Sequence, residues 1–364
     1  GAPTLHVGGW YDFLRPHVLR AYQGIAAGAA RTGDSQTLVV GPWDHQSLFS
    51  HSVAGLELAD LLVRYLERSL LGDEARTQAS PGVRPGVLLY LMEGEHWLAF
   101  DRFPPEGSRR AEWFLDSGGR ANTADGNGKL VPDAPTHPCE DTFVYDPGSP
   151  VPTVGGGVWP FPAAGLYPGA ADQSGVEERE DVLVYTSVPL AEDVAVAGPV
   201  EAELWVSSSA CATDYTAKLV DVDPGGVPRV VQDGIHRVRP GPADLREPTR
   251  VTIDLGAAGW CFRAGHRLRL EVSSSNFPKF DRHLNCPDPP GFATGGAAAT
   301  QKVFHGGTWP SLLRMTVVPG RVLEQAGVDV RASAAAALPQ RSAGRSASVW
   351  HPAADRRGNQ EVRT

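Results

Sequence analysis

The stretch TLHVGGWYD at residues 4–12 and its echo TLVVGPWDH at residues 37–45 decide the reading of this chain. In each, a short apolar run stops at glycine, and a tryptophan and a polar residue follow. Leu5 to Val7 and Thr37 to Val40 are too short for helices and are bounded by glycine, so both read as buried strands. Between them, Arg15 to Ala30 reads as a helix despite Gly24 and Gly28. A helix joining two such strands is the crossover that parallel strands need. Asp12 and His45 then stand just beyond the ends of two neighbouring strands, a carboxylate beside an imidazole.

That pair has a chemistry. A neutral imidazole, with an ordinary pKa near 6.5, can take a serine proton and return it to a leaving group. Asp12 would hold one ring nitrogen protonated, leave the other free to face a serine, and stabilise the imidazolium. The bland alternative for Asp12 is a local backbone acceptor or helix cap. Asp44 competes for the acid role, but an adjacent side chain is poorly placed to reach the far ring nitrogen, and it reads as loop structure. His51 competes for the base role. Trp10, Tyr11, Phe13 and Trp43 are candidate walls of an apolar acyl pocket; aromatic residues packing the loop interior would give the same sequence. No serine or cysteine sits in a Gly-x-Ser-x-Gly elbow, so the acid and base come without a nucleophile.

Working outward, LELADLLVRYLERSL at residues 56–70 places Leu58, Leu62, Tyr65 or Leu66, and Ser69 or Leu70 along one side. This is an amphipathic helix stopped by Gly72. Val87 to Met92 and Ala111 to Leu115 are further strands, with Trp97 in a turn-rich stretch between them. These pieces fit the last units of an open parallel sheet, whose buried strands need neighbours and helical cover. The alternative is a small independent α/β lobe. Residues 116–175 are dense in Gly and Pro and read as a linker with packed loops.

The second half is β, with strands at 181–187, 200–206, 215–222, 251–255, 267–272 and 313–318. Leu268, Leu270 and Val272 alternate with Arg267, Arg269 and Glu271, giving one buried and one wet face. Short strands with Gly/Pro turns indicate a β-sandwich or jelly roll. The expected fold class is α/β plus all-β, with units at 1–115, 116–175 and 176–320 and an Ala/Arg/Ser-rich tail over 321–364.

A length of 364 residues suits two domains, since single cores stop growing beyond roughly 250 to 300 residues. The net charge of -9, with Lys and Arg scattered, argues against nucleic acid as a partner while leaving a small anionic substrate open. Cys139, Cys211, Cys261 and Cys286 include no Cys-x-x-Cys pair, so a zinc or redox motif is unsupported, and two disulfides or buried thiols are both open. No stretch approaches the roughly 18 to 20 apolar residues that span a bilayer, so a soluble chain, cytoplasmic or secreted, is expected. No cofactor or metal is implied.

The motif GGWYD at 8–12 with GPWDH at 41–45 resembles the CocE/NonD family of α/β-hydrolases, relatives of cocaine esterase, α-amino-acid ester hydrolases and bacterial X-Pro dipeptidyl-peptidases. On that resemblance Asp12 matches the triad acid and His45 the triad histidine. Leu14 matches a position that contributes an aromatic side chain to the acyl pocket in cocaine esterase, which implies an altered pocket. REDVLVYTSVPL at 179–190, CATDYTAKLVDVDPGG at 211–226 and FRAGHRLRLEVSSSNFPKFDRH at 262–283 resemble the family's C-terminal jelly roll. His266 and His283 are then structural. In the family, the serine, most of the sheet, the helical cap and an oxyanion tyrosine precede this region.

The implied function is serine-dependent hydrolysis of an ester or amide through an acyl-enzyme, acting on a small molecule or a peptide. The nucleophile would come from an upstream segment or companion chain carrying Gly-x-Ser-x-Gly. X-Pro dipeptidyl-peptidase activity is one alternative. Others are a degenerate hydrolase and a noncatalytic sandwich that binds by stacking on Trp159, Trp205 or Trp260, which could equally be core residues.

Overall fold

The computed structural model describes residues 3–32, 36–49, 56–71, 86–239, 245–287 and 295–328. The strand–helix–strand unit is β1 (Thr4–Gly9), α1 (Arg15–Thr32) and β2 (Gln36–Gly41). β1 and β2 are parallel, with Val7 opposite Val39 and Gly9 opposite Gly41. Helix α2 (Leu58–Leu71) follows, and β3 (Gly86–Leu91) adds a third parallel strand beside β2. β4 (His96–Phe100) returns antiparallel to β3. Trp97 therefore lies in a strand and not in a turn, because Glu93 and Glu95 take positive φ and confine the reversal to a few residues.

The apolar face of α2 follows the expected positions Leu58, Leu62, Tyr65 and Ser69, with Leu61 added to it. Leu58 and Leu61 bury against Trp43 and Leu48, with Leu62 partly buried, whereas Leu66 and Leu70 are exposed. The tandem leucines at 61 and 62 both pack in the cluster that holds Trp43 and Trp97.

The larger region comprises β5 (Arg109–Asp116), β6 (Lys129–Val131), β7 (Cys139–Tyr145), α3 (Ser174–Glu177), β8 (Leu183–Ser187), β9 (Val194–Ser208), β10 (Thr213–Val222), β11 (Pro228–Val238), β12 (Thr249–Phe262), β13 (Arg267–Ser273), β14 (Ala299–His305) and β15 (Leu312–Val318). Its strands connect in the order β11-β10-β13-β8-β6-β5-β15-β9-β14-β7, with β12 also on β9. The 15-residue β9 is the hub: β12 pairs along one side, and β15 then β14 along the other. The molecule is thus a mixed α/β fold with a small helical part and large β-sheet regions.

Two segments differ from the sequence reading. The strand near 111–115 runs from Arg109 to Asp116 and pairs with β15 in the larger sheet. The Gly/Pro-rich stretch contributes β6 and β7; in β7, Asp141, Phe143 and Tyr145 point inward and Thr142 and Val144 outward.

The main core fills the larger region with Tyr185, Leu204, Val206, Tyr215, Leu219, Phe262 and Leu270. A second core joins the two regions: Trp10, Leu19, Leu38 and Val87 pack with Ala197, Ala257 and Val318. The first sheet is accordingly not an independent lobe. It is closed by α4 (Gly320–Ala326) and β16 (Gly327–Val328), which pairs with β4. The rest of the expected tail, 329–364, lies outside the described residues. The four cysteines are free thiols, so neither disulfide forms. Among the described residues, no helix is long and apolar enough to cross a membrane.

Candidate active site

Parallel pairing brings the ends of β1 and β2 level, and backbone bonds then hold their loops together. Trp10 N–H donates to the Gly41 carbonyl at 2.9 Å and Tyr11 N–H to that of Trp43 at 3.0 Å. The glycines ending the strands make this approach possible. A Cβ on Gly9 would collide with the Trp43 carbonyl, and one on Gly41 with the Trp43 ring.

The loops deliver Asp12 and His45 to each other. The His45 Nδ1 lies 3.2 Å from both carboxylate oxygens of Asp12. Leu14 N–H also donates to Asp12 Oδ1 at 2.8 Å, which fixes the carboxylate from the start of α1. The carboxylate is 5% exposed and the imidazole 33%. A buried acid thus engages Nδ1, and Nε2 is the nitrogen left for a reacting group. Asp44 is occupied elsewhere: its Oδ1 accepts the N–H groups of Gln46 and Ser47 at 2.7 and 2.9 Å, capping a short helical turn. His51 lies outside the described residues.

Of the proposed pocket walls, Phe13 stands beside the imidazole with ring centroids 5.0 Å apart, and Leu14 is exposed at the rim. Trp10, Tyr11 and Trp43 are instead packed into cores, a correction to their reading as pocket walls. Trp10 donates Nε1–H to the Tyr90 carbonyl at 2.7 Å and fits where β12 has Gly259, whose Cβ would strike its ring. Tyr11 enters the main core, and burial pushes its phenol pKa upward. Trp43 is fully buried with its ring 5.8 Å from that of Trp97. The Trp10 and Trp43 rings fill space left by the missing Cβ atoms of Gly259 and Gly41.

Trp159 stands beside the imidazole with Phe13. Its ring is 5.1 Å from His45 and 5.3 Å from Phe13, and the residue is half-exposed. It follows Gly155-Gly156-Gly157, and a Cβ on Gly157 would lie 3.5 Å from the Asp12 carbonyl oxygen. The sequence offers a tryptophan after three glycines, but nothing local says which strand ends it will cover. Trp260 is core and donates Nε1–H to Asp221 at 2.8 Å, while Trp205 is partly buried on β9. His266 Nδ1 meets Asp221 at 2.9 Å, and His283 Nδ1 accepts the Asn285 N–H at 2.9 Å; both brace loops of the larger region.

A Ser-His-Asp cluster lies in that region. Ser117 Oγ and Asp141 Oδ2 are each 3.0 Å from His305 Nε2. Because serine and carboxylate meet the same ring nitrogen, the imidazole cannot pass a proton from one while being oriented by the other. Ser117 donates directly to Asp141 at 2.8 Å, and Tyr185 and the Ala121 N–H donate to it as well. This is a brace, and it does not supply the nucleophile that the Asp12–His45 pair lacks.

Residues 81–314 match the family model of the X-Pro dipeptidyl-peptidase C-terminal non-catalytic domain. Cocaine esterase from Rhodococcus sp. (strain MB1 Bresler) is 35% identical over 318 residues, covering 83% of this chain and 52% of that protein. An α-amino-acid ester hydrolase structure is 25% identical, with a TM-score of 0.73 over 87% of this chain and 56% of that one. An aminopeptidase from a marine sediment Thaumarchaeota archaeon is 24% identical, with a TM-score of 0.71 over 88% and 55%. The chain spans about half the length of these relatives. With its matching C-terminal domain and CocE-like structural relatives, the chain belongs to the CocE/NonD-type hydrolase family.

Proposed function

We propose that this chain supplies the acid and base of a serine hydrolase that cleaves an ester or amide through an acyl-enzyme. The observation that carries the reading is the Asp12–His45 pair at the ends of two parallel strands, with Phe13 and Trp159 beside the imidazole. The serine comes from a separate segment bearing Gly-x-Ser-x-Gly. Its proton passes to His45 Nε2 as Oγ attacks the substrate carbonyl, and Asp12 stabilises the imidazolium at Nδ1. The proton then goes to the leaving group, and His45 activates the water that releases the acyl group.

Phe13, Trp159 and the rim residue Leu14 form the acyl-side wall, and Trp159 makes the β region part of the pocket. The larger sheet is proposed as a jelly roll, a reading supported by the fork at β9 and the core enclosed by both its arms. The domain boundary belongs between β4 and β5, with α4 and β16 returning to the first sheet. The protein is proposed to be soluble, and its substrate a small ester or amide. The family model's name keeps X-Pro dipeptides in view as substrates. Comparing p-nitrophenyl esters with Gly-Pro-p-nitroanilide separates the two.

The deciding experiment uses a fluorophosphonate probe on the assembled enzyme. Labelling of the companion segment, lost in His45→Ala, is expected. Labelling that persists unchanged in His45→Ala would overturn the assignment of the base.

A further inference from the structure

Arg15 follows the acid turn directly and opens α1, yet it is only 5% exposed. Its Nη1 donates to the Trp10 carbonyl at 2.5 Å, inside the turn that presents Asp12. Its Nη2 would lie 3.2 Å from a Cβ on Gly256 of β12, so the guanidinium is wedged between the turn and the larger region. Arg15 Nε is buried and has no hydrogen-bond partner among the described residues. A buried cation with an unmet donor adds little net stability, since an apolar side chain of similar volume is often neutral or better. Such a violation is expected where function requires it.

The charges around Arg15 come from three directions. Asp12 acts on it from the acid turn, Asp233 from β11 and Asp254 from β12; Lys279 lies within electrostatic reach after β13. Asp254 is also within 4.0 Å of Arg20 at the surface. Asp233 is buried, accepts Asn276 Nδ2–H at 2.8 Å and pairs with the Lys279 ammonium. A Cβ on Gly156 would sit 3.4 Å from the Asp233 carboxylate, so the strap that carries Trp159 lies against the same group. Burial pushes Arg15 down to about 10, still charged at neutral pH, with Asp233 as the strongest opposing influence.

We infer that Arg15 is a positioning residue of the catalytic pair: its buried guanidinium, bonded to the Trp10 carbonyl, holds the acid turn against the larger region, and with Asp233 it sets the charge beside that turn. The inference rests on the hydrolase reading. It gives the β region an electrostatic part in the reaction, in addition to its contribution of Trp159 to the pocket.

The two charges predict opposite displacements. Removing Arg15 takes a cation away from the turn that carries the acid of the pair, so the acid limb of the kcat/KM profile should move to higher pH. Neutralising Asp233 leaves Arg15 and Lys279 less compensated, so that limb should move to lower pH. The test measures p-nitrophenyl butyrate hydrolysis by the assembled enzyme across pH 4 to 9, with thermal melts of each variant.

Arg15→Met leaves Asp233 with Asn276 and Lys279 and is expected to lower kcat about tenfold with little change in KM, moving the acid limb up by about half a unit. Arg15→Lys should restore the limb while recovering only part of kcat. Asp233→Asn should move the limb down. If the unsubstituted enzyme hydrolyses the ester, but the limb stays fixed or moves the same way in folded Arg15→Lys, Arg15→Met and Asp233→Asn enzymes, the assignment of Arg15 is wrong. If the unsubstituted enzyme hydrolyses neither ester nor dipeptide substrate, the hydrolase reading fails first and this inference with it.

Discussion

Asp12 is asked to do two things at once: accept a backbone N–H from Leu14 and hold His45 Nδ1. Asp12→Asn keeps an oxygen for Leu14 but can turn its amide N–H toward the imidazole, which selects the wrong tautomer. The expected result is a fall in kcat on the order of 10³ to 10⁴, the scale known for a triad acid in a protease, with the thermal melt nearly unchanged. Trp159 calls for a different signature. Its ring touches His45 and Phe13 from a strap outside the first sheet, so Trp159→Ala should raise KM about tenfold for bulky acyl esters and much less for acetate esters. Trp159→Phe should recover most of the loss. Steady-state kinetics on a series of p-nitrophenyl esters checks both variants, and an equal loss of kcat on every ester after Trp159→Ala would contradict a pocket role.

At the scale of elements, the brace around Asp141 ties the start of the β6 approach to β7 and β14. Burial pushes the Asp141 carboxyl up, but hydrogen bonds from His305, Ala121 N–H, Ser117 and Tyr185 outweigh it and hold the group below its usual 3.8. A depressed folded pKa contributes stability that is fully present above the unfolded value and is lost as pH falls through the folded one. Asp141→Asn should therefore cost about 3 kcal/mol near neutrality, and the difference from the unsubstituted protein should shrink below 3.8 in urea titrations. β7 itself shows where local reading fails. Phe143 and Tyr145 alternate correctly for a half-buried strand, but Pro135, Pro138 and Pro147 around them give the stretch the texture of a loop. β1, β2, Asp12 and His45 were legible because apolar run, glycine and polar residue are contiguous. Trp159 was not, since its place depends on a strap crossing from the larger region. The α2 stripe was ambiguous for a third reason: Leu61 and Leu62 both fit a helical period, and both pack in the cluster that holds Trp43, Leu61 the more deeply.

For the whole molecule, the first sheet is finished on one side and open on the other. β16 closes it beyond β4, whereas β1 has β2 as its hydrogen-bonded neighbour and no second strand among the described residues. Parallel strands are normally interior to a sheet covered on both faces, and a bare edge is a template for further pairing. The flank of α2 repeats the pattern, with Val63, Leu66 and Leu70 exposed at 54%, 52% and 78%. Both features suit a companion segment that adds strands to β1, the segment proposed to carry the serine. Binding of such a partner to the folded chain stabilises it by mass action, about 2.7 kcal/mol at a hundredfold excess over Kd, which should raise Tm by several degrees. Hydrogen exchange should report the same event locally: the peptide over residues 3–9 should exchange quickly in the chain alone and become protected on association, while β3, already flanked by β2 and β4, should change little. Protection at β1 that is already complete without a partner, with no shift in Tm when the companion is added, would show that this edge is not where the hydrolase is completed.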